Sequence, residues 1–287
     1  MQTDLFGKAR YKINLHTHTT RSDGKKKPEE ALQCYRNADY DAVALTDHWY
    51  YAKEDNFDGM TVLSGGEYNI GGNDSRNGVF HIVGFGMTRE PSVTLSMSAQ
   101  QIIDAIHAAG GLVDLAHPAW SLNTPEQILP LKNIDTTEIY NTISGMYFSR
   151  RPDSSLIVDM LATAGRVYPL IAADDTHRYL GEECVSWIMA EAESRSREDL
   201  LDAIKHGRFY ATQGPEIHLF QDGDEYVVRS SPVSEITFFS NLAFAPRTFM
   251  KEGITEARYK PRNDEFFLRA AVTDRNGKRA WTNIIAF

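Results

Sequence analysis

The sequence predicts an α/β protein with a mostly parallel sheet, followed by a small region made only of strands. Between Tyr11 and about Arg208, short apolar runs alternate with segments of helical pattern, which is typical of a parallel sheet, open or closed. From about Gly214 to Phe287 the helical patterns stop and short strands follow one another. The 287 residues, 42% of them apolar, are enough for a substantial core. We therefore expect a larger domain over residues 1–213 and a small β-rich domain over residues 214–287.

The expected elements follow in chain order. The strands of the larger domain are YKINL, DAVALTD, TVLSGGEYNI, VFHIVGFG, GLVDLAHP, IDTTEIYN and VYPLIAADDTH. The helices are PEEALQCYRNA, SAQQIIDAIHAAGG, TPEQILPLKN, DSSLIVDMLATAG and SREDLLDAIKHGR. Several of the expected helices begin with a capping residue, such as Thr124 before Pro125. The strands of the final region are EIHLF, EYVVRS, EITFFSN, EFFLRAAV and WTNIIAF.

The connection between Glu67 and His81 has no helical pattern. Its sequence, YNIGGNDSRNGVF, contains a Gly/Asn/Asp cluster that is typical of a hairpin turn. Glu67 and His81 are equidistant from Asp74, in the middle of this segment. In a regular hairpin these two residues face each other with Cβ atoms about 4.5–5.5 Å apart. That separation suits two ligands of one ion.

Composition argues against several classes of protein. The net charge of −9 and the pI of about 5.5 argue against strong binding to nucleic acid. No apolar run reaches the roughly 18–20 residues that cross a bilayer, and the first residues lack the apolar segment of a secretory signal. The two cysteines, Cys34 and Cys184, form no CxxC pair. We expect a cytoplasmic protein with reduced thiols.

Histidines are concentrated at the ends of the expected strands. Six of the nine histidines have this placement: His16, His18, His48, His81, His117 and His177. Three carboxylates accompany them: Asp23, Glu67 and Asp175. Because the carboxyl ends of parallel strands gather on one face, we expect these nine side chains to converge. The other three histidines have no such placement and are expected to be structural: His107, His206 and His218.

Two of the ligand pairs share a spacing. His16 and His18 are two residues apart on an extended segment, so their side chains point to the same side. Asp175 and His177 repeat this spacing on the last expected strand. The repeat favours Asp175 over its neighbour Asp174, and the choice between the two stays open.

Nine nitrogen and oxygen ligands are too many for a single ion. Zinc binds four ligands, so the set suits two or three ions that share a bridging carboxylate. Imidazole and carboxylate without thiolate are compatible with Mn²⁺, Fe or Zn²⁺. Clustered divalent ions suit phosphoester hydrolysis, and the same cluster suits attack on a carbamate, ester or amide carbonyl. The expected nucleophile is a metal-bound hydroxide, and no side chain is assigned as catalytic.

These motifs resemble those of the PHP (polymerase and histidinol phosphatase) metallohydrolases. The matching stretches are HTHTTRSDG, TDH, GGEYN, HIVGFG, AHP and DDTH, which fall within residues 11–180. Two later stretches, GRFYATQGPEI and GKRAWTNIIAF, are similar to the branch that includes a carbamate insecticide hydrolase. The resemblance implies a distorted (β/α)7 barrel with a trinuclear metal site.

The resemblance also implies a division of the ligands. The first ion would be held by His16, His18, Glu67 and Asp175. The second would be held by Glu67, which bridges the two ions, and by His81 and His117. The third would be held by Asp23, His48 and His177. The family's usual Gly-Ser before the last Asp-x-His motif is Ala173-Asp174 in this chain. Only 35 residues separate His81 from His117, so the substrate-binding insertion of some family phosphatases is missing.

Cationic residues near the expected site are candidates for binding a phosphate, for which arginine is the best donor. Arg178 directly follows His177, and Arg150 and Arg151 lie in the loop after the sixth strand. Arg150 and Arg178 are the predicted substrate-binding residues. Lysines 25–27 follow the Asp23 loop, and Tyr140 and Asn141 end the sixth strand, where they are expected to line the pocket.

The sequence thus predicts a metal-dependent hydrolase of a small phosphomonoester or phosphodiester, with two or three divalent ions. One alternative keeps the metal cluster and changes the substrate to a carbamate, ester or amide. Neutralising Arg150 and Arg178 would distinguish the two, because a neutral substrate has little need of these charges. The other alternative is a non-catalytic metal-binding module whose β-rich region contacts a partner protein.

Overall fold

The structure is a computed structural model that describes residues 1–53, 55–244 and 247–287. It is a mixed α/β fold with few helices and many strands. The helices are α1 Pro28–Asn37, α2 Ala99–Ala108, α3 Pro125–Ile128, α4 Ser155–Thr163 and α5 Arg197–Lys205. Each of them lies within a segment whose helical pattern is visible in the sequence.

The strands follow the predicted order in the first two thirds of the chain. The first ten are β1 Gln2–Thr3, β2 Ala9–Asn14, β3 Ala42–Ala44, β4 Asn56–Phe57, β5 Met60–Leu63, β6 Gly65–Ile70, β7 Phe80–Phe85, β8 Leu112–Leu115, β9 Thr136–Asn141 and β10 Leu170–Ala173. The remaining strands are β11 Trp187–Ala190, β12 Phe209–Thr212, β13 Ile217–Asp222, β14 Glu225–Phe239, β15 Thr248–Tyr259, β16 Phe267–Thr273, β17 Arg279–Trp281 and β18 Ile285–Ala286.

The strands form two sheets. In the larger one, of 13 strands, β2, β3 and β5 run parallel and β11 and β12 continue the sheet antiparallel. The smaller one has five strands in the order β10-β9-β8-β7-β6, of which β10, β9 and β8 are parallel. The expected (β/α)7 barrel is not confirmed, because the hydrogen-bonded strands of the described ranges do not close into one ring.

The two sheets separate at Ser64, the residue between β5 and β6. The strand before it, β5, pairs with β3, whereas β6 directly after it pairs with β7. Glycine is required at the first position of β6, because a Cβ on Gly65 would lie 2.5 Å from the carbonyl oxygen of Leu45. On the other side, the two sheets meet at an isolated parallel bridge between Thr17 and Thr176. Both junctions lie beside the residues predicted to bind metal.

Helix α2 shows how local sequence and packing agree. Ser98 and Gln101 form a capping box at its start. Ile102, Ile103 and Ile106 are fully buried on one face of the helix, which packs on β7 and β8. Burial of each of these side chains contributes about 1.5–3 kcal/mol to folding. The helix therefore fixes β7, which carries His81, and β8, which ends two residues before His117.

The C-terminal strands extend the larger sheet through pairing of β17 with β12. The two stretches EYVVRS and EITFFSN, expected as separate strands, form the single 15-residue strand β14. The pattern did not predict β15, which pairs with β14 alone and is mostly exposed. Arg269 is buried and forms two hydrogen bonds of 2.6 Å with Asp159 of α4.

The domain boundary between residues 213 and 214 stays a prediction. Within the described ranges, no helix is long and apolar enough to cross a membrane.

Candidate metal centre

The structure brings together all nine side chains that the sequence singles out. They form three groups, and within each group the ligand atoms lie within 4.8 Å of one another. The first group is His16, His18, Glu67 and Asp175; the second is Glu67, His81 and His117; the third is His18, Asp23, His48 and His177. This is the division that the family resemblance implies, except that His18 also belongs to the third group. Their role as ligands stays a prediction.

Glu67 stands at the centre of the cluster. Its Oε2 lies 3.2 Å from His16 Nε2, 3.0 Å from His18 Nε2 and 3.2 Å from His48 Nδ1. Its Oε1 lies 2.5 Å from His81 Nδ1 and 3.6 Å from His117 Nε2. Each carboxylate oxygen thus faces a different set of imidazoles. This arrangement is suited to a carboxylate that bridges two ions.

The register of the β6–β7 hairpin differs from the prediction. Glu67 pairs with Val83, and the residue opposite His81 is Asn69. The prediction was wrong because the turn contains a 3-10 segment, Ser75–Asn77, which moves the tip one residue along the chain. A shift of one residue at the tip changes the pairing by two, so Glu67 and His81 still share a face. The Glu67 side chain reaches His81 diagonally.

Asp174 and Asp175 point to different parts of the structure. Asp175 Oδ1 lies 3.2 Å from Nε2 of both His16 and His18, and its backbone has a positive φ of 54°. The Asp174 carboxylate instead accepts backbone N–H bonds from residues 184–186, at 2.7–3.0 Å. Burial raises the pKa of Asp174 to about 7, against the effect of these bonds. The geometry therefore favours Asp175 as the ligand.

The charges of the cluster are mutually stabilising. Burial lowers the pKa of His18, but the adjacent carboxylates of Asp175 and Glu67 outweigh it and raise the pKa to about 9. Burial raises the pKa of Glu67, but His16 and His81 outweigh it and hold this pKa well below its usual range. The carboxylates are therefore ionised at neutral pH. Divalent cations held by these groups would replace the imidazole protons, so their binding would release protons.

Three polar atoms of the cluster are buried and make no hydrogen bond of suitable geometry within the described residues, although other atoms of the cluster lie 3.0–3.2 Å from them. They are His18 Nε2, His48 Nδ1 and Asp175 Oδ1. Buried polar atoms of folded proteins nearly always have a partner, and a bound ion is one explanation of an exception. With a donor set of imidazole nitrogens and carboxylate oxygens, these residues fit Mn²⁺, Fe or Zn²⁺.

The loop that carries Asp23 is held by a buried carboxylate, Asp47. Asp47 accepts hydrogen bonds from the backbone and hydroxyl of Thr19, each at 2.7 Å, and from the hydroxyl of Ser22 at 2.8 Å. Asp23 Oδ1 then lies 3.3 Å from His177 Nε2. Of the TDH motif, His48 therefore belongs to the cluster, and Asp47 supports the loop that carries Asp23.

Glu138, in the middle of β9, was not identified from the sequence. It is fully buried. His16 Nδ1 lies 2.8 Å from its Oε1, and its Oε2 accepts bonds from the His117 backbone N–H at 2.8 Å and from Asn141 at 2.7 Å. Carboxylates in this position fix the tautomer and orientation of metal-binding histidines. Asn141, expected at the pocket, also donates to Asp175 Oδ2 at 3.1 Å, whereas Tyr140 stacks on Trp281.

Replacing Glu138 with glutamine is expected to weaken metal binding about 10- to 100-fold. Glutamine keeps the size of the side chain, but His16 loses a charged acceptor. The affinity can be measured by competition with a chelator of known strength. Glu126→Gln is the matched control, because Glu126 lies exposed in the first turn of α3. An unchanged affinity in Glu138→Gln would show that Glu138 does not support the centre.

A cavity of about 550 Å³ opens onto the cluster. Its wall contains two cations, Lys25 and Arg178, and the apolar side chains Trp120, Ile143, Phe148 and Leu180. The Arg178 guanidinium lies 4.7 Å from the ring centroid of Phe148 and donates to the Tyr147 hydroxyl at 3.3 Å.

The two predicted substrate-binding arginines differ in their position relative to the cavity. Arg178 lines the cavity, but Arg150 is exposed and is not among its lining residues. Its neighbour Arg151 lines an adjoining cavity of about 540 Å³. Arg150 has a positive φ of 64°, a turn conformation that the sequence did not indicate.

The other three histidines lie outside the cluster. His107 Nε2 donates to the Asn133 carbonyl at 2.7 Å, and His206 Nδ1 donates to the Asp202 carbonyl at 2.9 Å. His218 forms a separate group with Asp4 and Glu216. In that group Asp4 already accepts a hydrogen bond from Arg10, at 2.8 Å.

The fold and the site together define a mixed α/β protein with a candidate centre for several metal ions. Over its whole length the chain is similar to a two-domain protein from Bacteroides vulgatus that contains a predicted PHP-like metal-dependent phosphoesterase. The match has 13% identity and a TM-score of 0.57, and it covers 97% of that chain. This likeness establishes a shared fold.

Two further solved structures match a part of the chain. One is a protein from Bifidobacterium adolescentis assigned as a metal-dependent phosphoesterase, with 14% identity, a TM-score of 0.41 and coverage of 57% of this chain and 87% of that chain. The other is an amidohydrolase from Chromobacterium violaceum with bound sulfate and no metal, with 16% identity, a TM-score of 0.40 and coverage of 59% and 89%. No family model and no curated protein matches the sequence.

Proposed function

We propose that the protein is a metal-dependent hydrolase of a small phosphoester and a member of the PHP superfamily. The observation that carries the proposal is the convergence of nine nitrogen and oxygen ligands around Glu67, at the wall of a cavity of about 550 Å³. The fold shared with the Bacteroides vulgatus protein supports it. We also propose that the two sheets are the halves of a distorted barrel.

Two or three divalent ions would be held by the three groups of ligands, with Glu67 common to the first two. Such ions lower the pKa of water and stabilise the charge on the oxygens of a phosphoester. The side chains of the protein have other tasks. Lys25 and Arg178 attract the substrate anion, Asn141 and Glu138 orient the ligands, and Trp120 and Phe148 limit the access of water.

The role of Arg178 gives a first test. In Arg178→Gln, kcat/KM for p-nitrophenyl phosphate is expected to fall about 10- to 100-fold, because a charge-assisted hydrogen bond contributes about 1.5–3 kcal/mol. Turnover of neutral p-nitrophenyl acetate should change less than about twofold. Arg275→Gln is the control, because Arg275 is an exposed arginine on the turn between β16 and β17. Equal losses for both substrates would contradict a phosphate-binding role for Arg178.

Hydrolysis of a neutral carbamate, ester or amide is the second candidate. One observation favours it: the cavity has four apolar side chains and only two cations, and one of these, Arg178, already contacts Phe148 and Tyr147. The metal-loaded protein should be assayed against phosphomonoesters, phosphodiesters, esters and carbamates. Turnover of the neutral compounds alone would replace the proposed function with this one.

A further inference from the structure

Two cavities meet at the candidate metal centre. The first, of about 550 Å³, and the second, of about 540 Å³, share four lining residues. These residues are His48, His81, Trp120 and Phe148. Two of them belong to the ligand groups, so a molecule bound at the centre has free space on two sides.

Trp120 and Phe148 mark the boundary between the cavities. The Trp120 ring stands edge-on to His81 and His117, with centroids 5.3 Å and 5.0 Å apart. The Arg178 guanidinium lies over the face of the Phe148 ring. The two aromatic side chains are 37% and 46% exposed, so they offer ring surface to a bound molecule. A substrate that passes between them has one part in each cavity.

The walls of the two cavities differ in chemistry. Apart from the candidate metal ligands and the two cations assigned to the phosphate, the residues that line only the first cavity are Ile143, Ser144 and Leu180. Of the nine residues that line only the second cavity, six are polar: Asn69, Asn73, Ser75, Ser121, Ser149 and Arg151. An apolar group therefore fits the first cavity, and a group with hydroxyls or other hydrogen-bonding atoms fits the second.

On the basis of the proposed function, we infer that the substrate is an asymmetric phosphodiester that joins an apolar alcohol to a polar one. The phosphate lies at the metal centre, and one organic arm lies in each cavity. Hydrolysis consumes one water: its oxygen bonds to phosphorus, one P–O ester bond breaks, and the released alcohol oxygen takes a proton. The products are an alcohol and a phosphomonoester.

The diester is favoured over a monoester because a monoester has a single organic arm and leaves one cavity without a contact. Binding energy from parts of a substrate remote from the reacting bond is what raises kcat/KM for the complete substrate. In this site the second arm contributes through the side chains around Arg151. The specificity residues are thus Arg151 on the polar side and Leu180 on the apolar side.

Three probes that release the same chromophore test the inference: p-nitrophenyl phosphate, methyl p-nitrophenyl phosphate and glyceryl p-nitrophenyl phosphate. With the metal-loaded full-length protein, kcat/KM is expected to be highest for the glyceryl diester, at least about tenfold above the methyl diester. The monoester should be the poorest substrate. Arg151→Ala should remove most of the advantage of the glyceryl group and leave the methyl diester within about twofold. Arg275→Ala should leave the ranking unchanged.

The outcomes distinguish a failure of the inferred diester specificity from a failure of the proposed phosphoesterase function. A monoester that is turned over as well as or better than the diesters would overturn the inference and leave the proposed function standing. Equal values for the glyceryl and methyl diesters would also overturn it, as would an advantage that Arg151→Ala does not change. Failure of all three phosphoesters, with turnover of a neutral ester, would overturn the proposed function itself.

Discussion

Replacing Glu67 with glutamine is expected to remove most of the bound metal and to lower hydrolysis by at least about 10²-fold. Both oxygens of Glu67 face imidazoles, and the closest, His81 Nδ1, lies at 2.5 Å. Glutamine keeps the shape but loses the charge, and its amide nitrogen cannot be a bridging ligand. Because Glu67 belongs to two of the three ligand groups, one substitution affects two ions.

Metal content per chain, measured by mass spectrometry of the purified protein, checks this result together with kcat. Glu126→Gln is again the control, and it should retain the full metal content. His107→Gln is a control for the loss of a histidine, since His107 lies outside the cluster and contacts Asn133. Full metal content in Glu67→Gln would contradict a bridging role.

The same substitution at the adjacent carboxylates Asp174 and Asp175 should affect different properties: stability at Asp174 and metal content at Asp175. Asp174→Asn is expected to lower the free energy of unfolding by about 2–3 kcal/mol, because an amide nitrogen would replace one of the two oxygens that accept from the backbone N–H groups of residues 184–186 and leave at least one of these groups unsatisfied. Asp175→Asn is expected to lower the metal content, because Asp175 Oδ1 points to His16 and His18. Its loss of stability, measured in the presence of a chelator, should be the smaller of the two.

The pH dependence of unfolding gives a separate check on Asp174. Burial raises its pKa from 3.8 to about 7 in the folded state, so between these values the folded protein holds a proton that the unfolded chain has lost. This contribution to stability is present below about pH 4 and is lost as the pH rises through 7. Asp174→Asn removes that contribution. Denaturant unfolding of both proteins with chelator between pH 4 and 8 measures the difference. An identical pH dependence in the two proteins would contradict the shifted pKa.

The sequence predicts the convergence of the nine side chains, because local geometry determines much of it. Residues two apart on a strand share a side, so the pairs His16/His18 and Asp175/His177 carry their own geometry. Strand order then places the remaining ligands on the same face. The pattern did not contain the long-range pairing. The register of the hairpin depends on the 3-10 segment at Ser75–Asn77, and the division into two sheets depends on the change of pairing partner between β5 and β6.

The sequence analysis did not identify features that no local motif indicates. Glu138 lies in a buried strand, and nothing in the surrounding sequence TTEIYN indicates that its carboxylate contacts His16 from another strand. Strand β15 was missed because most of its residues are exposed, so it lacks an alternation of apolar and polar residues. The different positions of Arg150 and Arg151 depend on a backbone turn at Arg150, where φ is positive.

Anomalous diffraction from crystals grown with Mn²⁺ tests the central claim most directly. We expect two or three strong peaks in the cluster, each about 2.0–2.3 Å from imidazole nitrogens and carboxylate oxygens, with one peak on each side of the Glu67 carboxylate. Peaks only at exposed carboxylates or at the Asp4–Glu216–His218 group, with none beside Glu67, would contradict it.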